Sequence, residues 1–293
     1  MICRPNSKNK APFALPFFKY SGCGNDFILI DNRHQLFNIY TAKTEVIVQI
    51  CHRRLGIGAD GIILLENSQK ADFRMRIFNA DGSEAEMCGN GLRCLVRFIQ
   101  DLGIPGNNFL IETMHQLIPT TILEKYISAE MPAPKNCRFF EQLQIEETSY
   151  IIHYLDTGVP HAIIFVEDLH DNQLMLIAPQ IRYHPHFLPK GTNVNFATIN
   201  SNNEVEVRTY ERGVEGETLA CGTGAAAVAI AAAHVHGLKS PISIRPKSGD
   251  IIYIYFPEAV YSLSEETFLS NPRGLTMSGP AVRVFNGNIF IGI

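Results

Sequence analysis

The chain has 293 residues, 46% apolar and 18% charged, with 25 basic against 29 acidic side chains and a net charge of −4. That length suits two domains, and that apolar share rules out wholesale disorder. No basic block is present to follow a phosphate backbone, which argues against a nucleic-acid partner.

Seven cysteines (Cys3, Cys23, Cys51, Cys88, Cys94, Cys137 and Cys221) are odd in number and include no C-x-x-C pair. This excludes a disulfide framework and a structural zinc site, and fits the reducing cytoplasm. Arg4, Lys8 and Lys10 ahead of the apolar stretch from Ala11 to Phe18 imitate a secretory leader, but Pro12 and Pro16 interrupt it and no small-residue cleavage site follows. Residues 1–14 are therefore expected to be a flexible extension. The longest apolar run, Ala225 to Ala233, is too short to span a bilayer, so a soluble protein with no membrane partner is expected.

From Phe17 the pattern turns strand-like, and Phe27 to Asp31 follows a Gly-Cys-Gly-Asn turn. Ala42 to Leu55 carries a helical apolar stripe, Gly56 to Gly61 is a tight loop, and Ile62 to Leu65 and Phe73 to Phe78 read as strands. Cys88 to Leu102 reads as a helix stopped by Gly103 and Pro105, with short strands following through Met131. Pro132-Ala133-Pro134 is the candidate linker. Beyond it Ile151 to Leu155, Ala162 to Val166, Val194 to Ile199 and Val205 to Tyr210 read as strands, and Cys221 to His236 as a helix. Ile242 to Ile244 and Ile251 to Phe256 are further strands, and Ala281 to Phe285 with Asn288 to Ile293 have the pattern of a closing hairpin.

Two stretches repeat one another. Arg76-Ile-Phe-Asn79, an acidic glycine-bearing loop and Cys88-Gly-Asn-Gly91 are echoed by Arg208-Thr-Tyr-Glu211, a second such loop and Cys221-Gly-Thr-Gly224. Each copy is a strand, a loop, then a cysteine opening a helix, so two similar halves would place Cys88 and Cys221 across a shared cleft. A helix start offers unpaired N–H groups and partial positive charge, which hold a carboxylate and favour a thiolate. One thiol and one thiolate facing a carbon can remove a proton from one side and deliver one to the other, which is what inversion of an amino-acid stereocentre requires. The remaining cysteines read as small buried side chains, Cys23 being left open. His184, His186, His234 and His236 read as surface or helix-end residues, not metal ligands. The one G-x-G-x-x-G, Gly56 to Gly61, is a loop that precedes a strand where the dinucleotide motif needs a strand before it and a helix after, and no G-x-x-x-x-G-K-[ST] occurs, so a nucleotide cofactor lacks support.

At these residues the chain resembles the diaminopimelate epimerases. The resemblance rests on Ser21-Gly-Cys-Gly-Asn25-Asp-Phe27, Gly56-Ile-Gly-Ala-Asp60, Phe78-Asn-Ala-Asp-Gly-Ser-Glu84, Cys88-Gly-Asn-Gly91, Gly158-Val-Pro-His161, Tyr210-Glu-Arg-Gly213 and Ala220-Cys-Gly-Thr-Gly224, in the family's order. It implies an α/β fold of two pseudo-symmetric domains, each a mostly antiparallel strand array around a central helix, with the active site in the cleft between them. Residues 15–131 with 278–293 returning to them would form one half, and residues 132–277 the other. The implied reaction is inversion of LL-2,6-diaminopimelate to the meso form without pyridoxal phosphate, metal or other cofactor. Cys88 and Cys221 would be the acid/base pair. Gly89 and Asn90, with Gly222 and Thr223, would hold the reacting carboxylate, and His161 would have an orienting or electrostatic role. Asn25, Asn79, Asn193, Glu211 and Arg212 would bind the rest of the substrate, Arg212 gripping the distal carboxylate. A homodimer is compatible with this reading.

Two positions depart from the family pattern: Val159 where asparagine is familiar, and Gly61 where glutamine often stands. Both remove a polar group, so slow turnover of smaller amino acids is expected. The alternatives are a proline or hydroxyproline racemase of the same architecture, which would have no use for Arg212, a thiol redox or metal-binding protein, and a non-catalytic amino-acid binder.

Overall fold

The computed structural model describes residues 13–41, 44–257 and 274–291. Up to residue 12 the expected N-terminal extension lies outside them, as does the expected helix start at Ala42; Ala14 already belongs to a strand. The first half of the chain runs β1 (Phe13–Gly22), β2 (Asn25–Asp31), α1 (Asn38–Thr41), α2 (Thr44–Cys51), β3 (Gly61–Glu66), β4 (Phe73–Asn79), β5 (Glu84–Ala85), α3 (Gly89–Asp101), β6 (Asn108–Glu112), β7 (Leu117–Leu123) and β8 (Tyr126–Met131). The second runs β9 (Lys135–Ile145), β10 (Thr148–Asp156), β11 (Pro160–Phe165), α4 (Gln173–Arg182), β12 (Asn193–Ile199), β13 (Val205–Glu211), β14 (Gly216–Thr218), α5 (Gly222–His236), β15 (Ile242–Pro246), β16 (Ile252–Tyr255), β17 (Leu275–Pro280) and β18 (Val282–Ile291).

The fold is α/β and the pairings of one half repeat in the other. In the first, β1 and β2 are antiparallel, β2 and β3 parallel, β3 and β4 antiparallel, and β4 runs parallel to β6. In the second, β10, β11, β12, β13 and β15 follow the same sequence of directions. A parallel pair needs a crossover, and α2 and α4 supply it in equivalent places. The halves join where β8 pairs with its own counterpart β17, from Leu275 opposite Met131 to Pro280 opposite Tyr126. A pseudo-two-fold axis passes through that ladder, because equivalent strands meet there antiparallel. The chain then crosses over in both directions. β9, which follows β8, pairs with β10, and β18, which follows β17, pairs with β1.

Each half wraps its strands around one helix. On α3, Leu92, Leu95, Val96, Phe98 and Ile99 pack into the core of the first half. α5 is buried from Gly224 through Ala233. Its alanines have the highest helix propensity and no side-chain bulk, so strands can close around it on every side. Gly237, at φ +70°, ends it in the left-handed conformation that glycine adopts without strain.

Several elements differ from the expectation, among them β14 and β17, where no strand was read. The closing segment is one strand, β18, not a hairpin: the Asn286-Gly287-Asn288 turn signal is overridden by pairing with β1. A Cβ on Gly287 would come within 3.0 Å of the Phe17 ring, so that glycine makes room for an aromatic instead of a turn. Helix α4 had not been expected, since Pro179 lies inside it. The eleven-residue β9 begins directly after the proline linker, where no strand was read.

Candidate active site

Both central helices begin in the same way. Cys88 caps α3 with extended backbone (φ −143°, ψ 119°), and Cys221 caps α5 with φ −125°, ψ 112°. Serine, threonine, aspartate and asparagine are the usual residues at this position. Sulfur in their place puts a thiol beside unpaired helix N–H groups, and the Gly91 N–H donates to Cys88 Sγ over 3.5 Å. The two helix starts converge on one side chain. A Cβ on Gly89 would lie 2.9 Å from Met277 Cε, and one on Gly222 would lie 3.1 Å from Met277 Cε and Sδ. Met277 belongs to β17 and pairs with Ala129 of β8, on the ladder that joins the halves. Two sets of helix N–H groups thus face one region at the pseudo-symmetry axis, and an anion there is met by both.

Both thiols are free and half-buried. Burial pushes Cys88 above the ordinary thiol range, against the lowering effect of the Gly91 and Asn90 N–H groups and of Arg93. Cys221 is pushed up to about 12, by burial first and then by Glu211. Burial also raises the Glu211 carboxyl. His161 is fully buried and pushed down to about 3, by desolvation and then by Arg212, so its imidazole is neutral.

The other expected residues fall into connected groups. Asn90 Nδ2 donates to Asn25 Oδ1 over 2.5 Å, and Asn25 Nδ2 donates to Asp60 Oδ2 over 3.1 Å. Asp60 is held in turn by Arg53, which also pairs with Asp26. His161 Nε2 lies 3.0 Å from Thr223 Oγ1, whose oxygen lies 3.4 Å from Cys221 Sγ. Thr157 Oγ1 donates to the Thr223 carbonyl over 2.8 Å and fixes that turn. Asn193 is buried, with Oδ1 accepting from the Arg212 N–H and Nδ2 donating to the Pro160 carbonyl; it shapes the Glu211–Arg212 turn from beneath. Arg212 Nη1 donates to the Lys190 carbonyl over 3.4 Å. Asn79 stands apart at the exposed end of β4, bonded to Ser83.

Gly61 has a packing reason. A Cβ there would sit 2.4 Å from the Phe78 carbonyl oxygen, so no side chain fits without moving β4. Gly61→Gln should therefore restore no polar contact. We expect it to lower stability by about 1–3 kcal/mol in a denaturant titration, as overpacking does, with no gain in KM. An unchanged midpoint with a lower KM would contradict this.

Sequence reading missed Arg93, Asn195 and Thr209. Arg93 is fully buried, and its guanidinium donates to Asn90 Oδ1 (2.5 Å), Cys23 Sγ (3.2 Å), the Gly89 carbonyl (3.4 Å) and Met277 Sδ (3.5 Å). It ties the start of α3 to the Gly-Cys-Gly loop and to β17. The available signal was an arginine on the apolar face of α3, and, for Asn195, an asparagine within the stretch of β12 that is buried from Asn193 to Ala197. The four histidines expected at the surface or at helix ends are found there. His184 caps a short helical turn, His186 meets Glu141, His234 stacks on Phe139 and His236 lies edge-on to Phe165. Among the described residues no group of three His, Cys, Asp or Glu side chains could hold a metal ion, and no helix is long and apolar enough to cross a membrane.

Solved structures with the same fold include a Bacillus anthracis protein of the PhzF phenazine-biosynthesis family (TM-score 0.71, 17% identity, covering 95% of this chain and 100% of that one). A hydroxyproline epimerase from Agrobacterium vitis, with bound trans-4-hydroxy-L-proline, gives a TM-score of 0.63 at 16% identity, covering 94% and 92%. The paired halves, each with a cysteine-capped central helix, thus have the fold found among epimerases and their relatives. In sequence, the family model described as diaminopimelate epimerase matches residues 17–129 and 153–260. The diaminopimelate epimerase of Aquifex aeolicus is 38% identical over 286 residues, covering 94% of this chain and 98% of that protein. The chain belongs to the diaminopimelate epimerase family.

Proposed function

We propose that the enzyme interconverts LL- and meso-2,6-diaminopimelate, with Cys88 and Cys221 as its acid/base pair. The observation that carries this is the convergence of two cysteine-capped helix starts on Met277, at the axis relating the halves. The reacting carboxylate lies between the N–H groups of Gly89 and Asn90 and those of Gly222 and Thr223. A thiolate on one side takes the α-proton, breaking the C–H bond. The electron pair passes into the carboxylate, where both helix termini stabilise the added negative charge. The thiol opposite then gives its proton to the other face of the carbon. After turnover the two cysteines have exchanged protonation states. Arg212 pairs with the distal carboxylate, Asn25 and Glu211 flank the distal centre and its ammonium group, Asn193 supports the Glu211–Arg212 turn from beneath, and Asn79 would reach the substrate from the exposed end of β4. The enzyme works in the cytoplasm, where free thiols stay reduced. Chiral separation of products from LL-diaminopimelate tests the reaction: the meso isomer should appear until the two forms equilibrate, and its absence would refute the assignment.

Burial holds both thiols above the ordinary range, Cys221 at about 12 and Cys88 upward against the pull of the Gly91 and Asn90 N–H groups and Arg93. Near neutral pH the free enzyme therefore holds both cysteines mainly as thiols, and the thiolate that starts the reaction is the minor form. Raising pH creates the thiolate, so kcat/KM, which reports the free enzyme, should still be climbing through the ordinary thiol range, about pH 8–9. It should decline only once both thiols are ionised. A profile that falls over that range would contradict the assignment.

With Gly61 accounted for by packing, Val159 is the departure that leaves the pocket short of a polar group and less exacting, and glutamate or aspartate should be racemised slowly. No measurable kcat/KM for either acid would end that idea. The same reading includes a homodimer through the outer surface of β18, where Val282, Val284 and Phe290 are exposed; light scattering at the monomer mass would exclude it.

A further inference from the structure

The pseudo-symmetry of the core is broken by a polar-for-apolar exchange beneath the start of α5. Under α3, Gly91 packs on two isoleucines: an added Cβ would meet Ile63 Cδ1 at 2.9 Å and Ile77 Cδ1 at 3.3 Å. These residues face each other across β3 and β4. The matching pair beneath Gly224 is Asn195 and Thr209, facing each other across β12 and β13, and a Cβ on Gly224 would meet Asn195 Oδ1 at 2.6 Å. The first parallel pair of each half repeats the contrast. Phe27 stands beside Gly61 in one, and His161 beside Asn193 in the other. Three buried apolar side chains therefore have three buried polar counterparts. The first half shows that this architecture closes with apolar residues here, and burying an amide, a hydroxyl and an imidazole is costly unless each is bonded.

They are bonded to one another, and they lead to one thiol. The Ala162 carbonyl can only accept, so the Asn195 side-chain atom 3.1 Å from it is the amide Nδ2. The second Nδ2 proton serves His161 Nδ1, also at 3.1 Å, while Thr209 Oγ1 donates to Asn195 Oδ1 over 3.0 Å. Because Nδ1 of the neutral imidazole accepts, its one N–H is on Nε2. That N–H donates to Thr223 Oγ1, which lies 3.4 Å from Cys221 Sγ and has its own hydroxyl proton to offer the sulfur. Cys88 Sγ, among the described residues, is met by backbone N–H groups of Gly91 and Asn90.

We propose that Asn195 is a positioning residue that sets the His161 tautomer and, through Thr223, keeps Cys221 Sγ a hydrogen-bond acceptor. The Cys221 proton is then directed into the cleft, and the thiolate is held once that proton has been delivered. The two thiols, equivalent by place in the fold, are thereby made chemically unequal. This rests on the two-thiol reading above, but its test uses no substrate and can fail while that reading stands.

The test has two readouts on the full chain. Long-range proton–nitrogen spectra of histidine-labelled protein, with His161 assigned by comparison with His161→Gln, should show Nε2 protonated and Nδ1 bare. In Asn195→Leu that single tautomer should be lost. Initial rates of iodoacetamide alkylation at each cysteine, read by mass spectrometry at fixed pH, should fall about fivefold or more at Cys221 in Asn195→Leu and stay within about twofold at Cys88. Thr209→Ser should behave as wild type, and Thr209→Val should move Cys221 in the same direction as the leucine variant. A wild-type ring protonated on Nδ1 would overturn the proposal. So would equal slowing at both cysteines, which marks general loosening of the fold.

Discussion

Replacing either Cys88 or Cys221 by serine is expected to lower kcat for epimerisation by about 10²–10⁴-fold while leaving the fold intact, the range over which a positioned acid or base contributes. A serine hydroxyl ionises far above a thiol, so it supplies neither an available base nor a comparable acid. Its effect on structure has the opposite sign. Both cysteines are helix N-caps, and serine is among the residues preferred there because its oxygen accepts helix N–H groups well. The melting temperature of each variant should therefore match or exceed that of the wild type. Loss of activity with retained stability separates a chemical role from a packing role. Because the thiols act as one unit, the double variant should be little worse than either single one. A single variant within tenfold of wild type would mean that the pair does not share the chemistry.

Removing residues 282–293 is expected to abolish the folded first half. Strand β18 is the last in the chain, yet it pairs with the first, from Phe13 opposite Ile291 to Ser21 opposite Val282. Without it β1 keeps only the β2 ladder, which begins at Phe18. The truncated chain also loses the edge-on contact of Phe285 with Phe17, centroids 5.8 Å apart, and the buried Ile289. A ladder of that length contributes several kcal/mol, comparable with the roughly 5–15 kcal/mol that keeps a domain folded. The exposed edge of β1 would also invite pairing between chains. Circular dichroism and limited proteolysis should find the first half unfolded or aggregated. A soluble truncated chain with normal turnover would show that the exchanged strand is dispensable.

The central helices and the cysteine pair were legible because their signals are local and occur twice: a strand, an acidic loop, a cysteine and two glycines in fixed order. The seven family motifs carried the rest of the site in the same way. What could not be read depends on contacts distant in the chain. The Asn286-Gly287-Asn288 run has the composition of a turn, and only the Phe17 ring reveals why glycine is needed there. Pro16 lies within β1 at a position that β2 does not reach, so its missing N–H disturbs no ladder on that side. Gly61 looked like a lost binding group and is instead excluded from having a side chain by the Phe78 carbonyl. Asn195 and Thr209 are ordinary residues in a strand pattern. Their meaning appears only when Ile63 and Ile77 are found in the same places across the pseudo-symmetry axis.

The two-thiol mechanism is tested most directly by running the reaction in D2O and stopping it early. With separate thiols on the two faces, the acceptor carries solvent deuterium, so newly formed meso-diaminopimelate should be deuterated at the inverted carbon while recovered LL-substrate keeps its original hydrogen. Product that retains the substrate's hydrogen, or label entering both isomers equally from the start, would point to a single base serving both faces and contradict the pairing of Cys88 with Cys221.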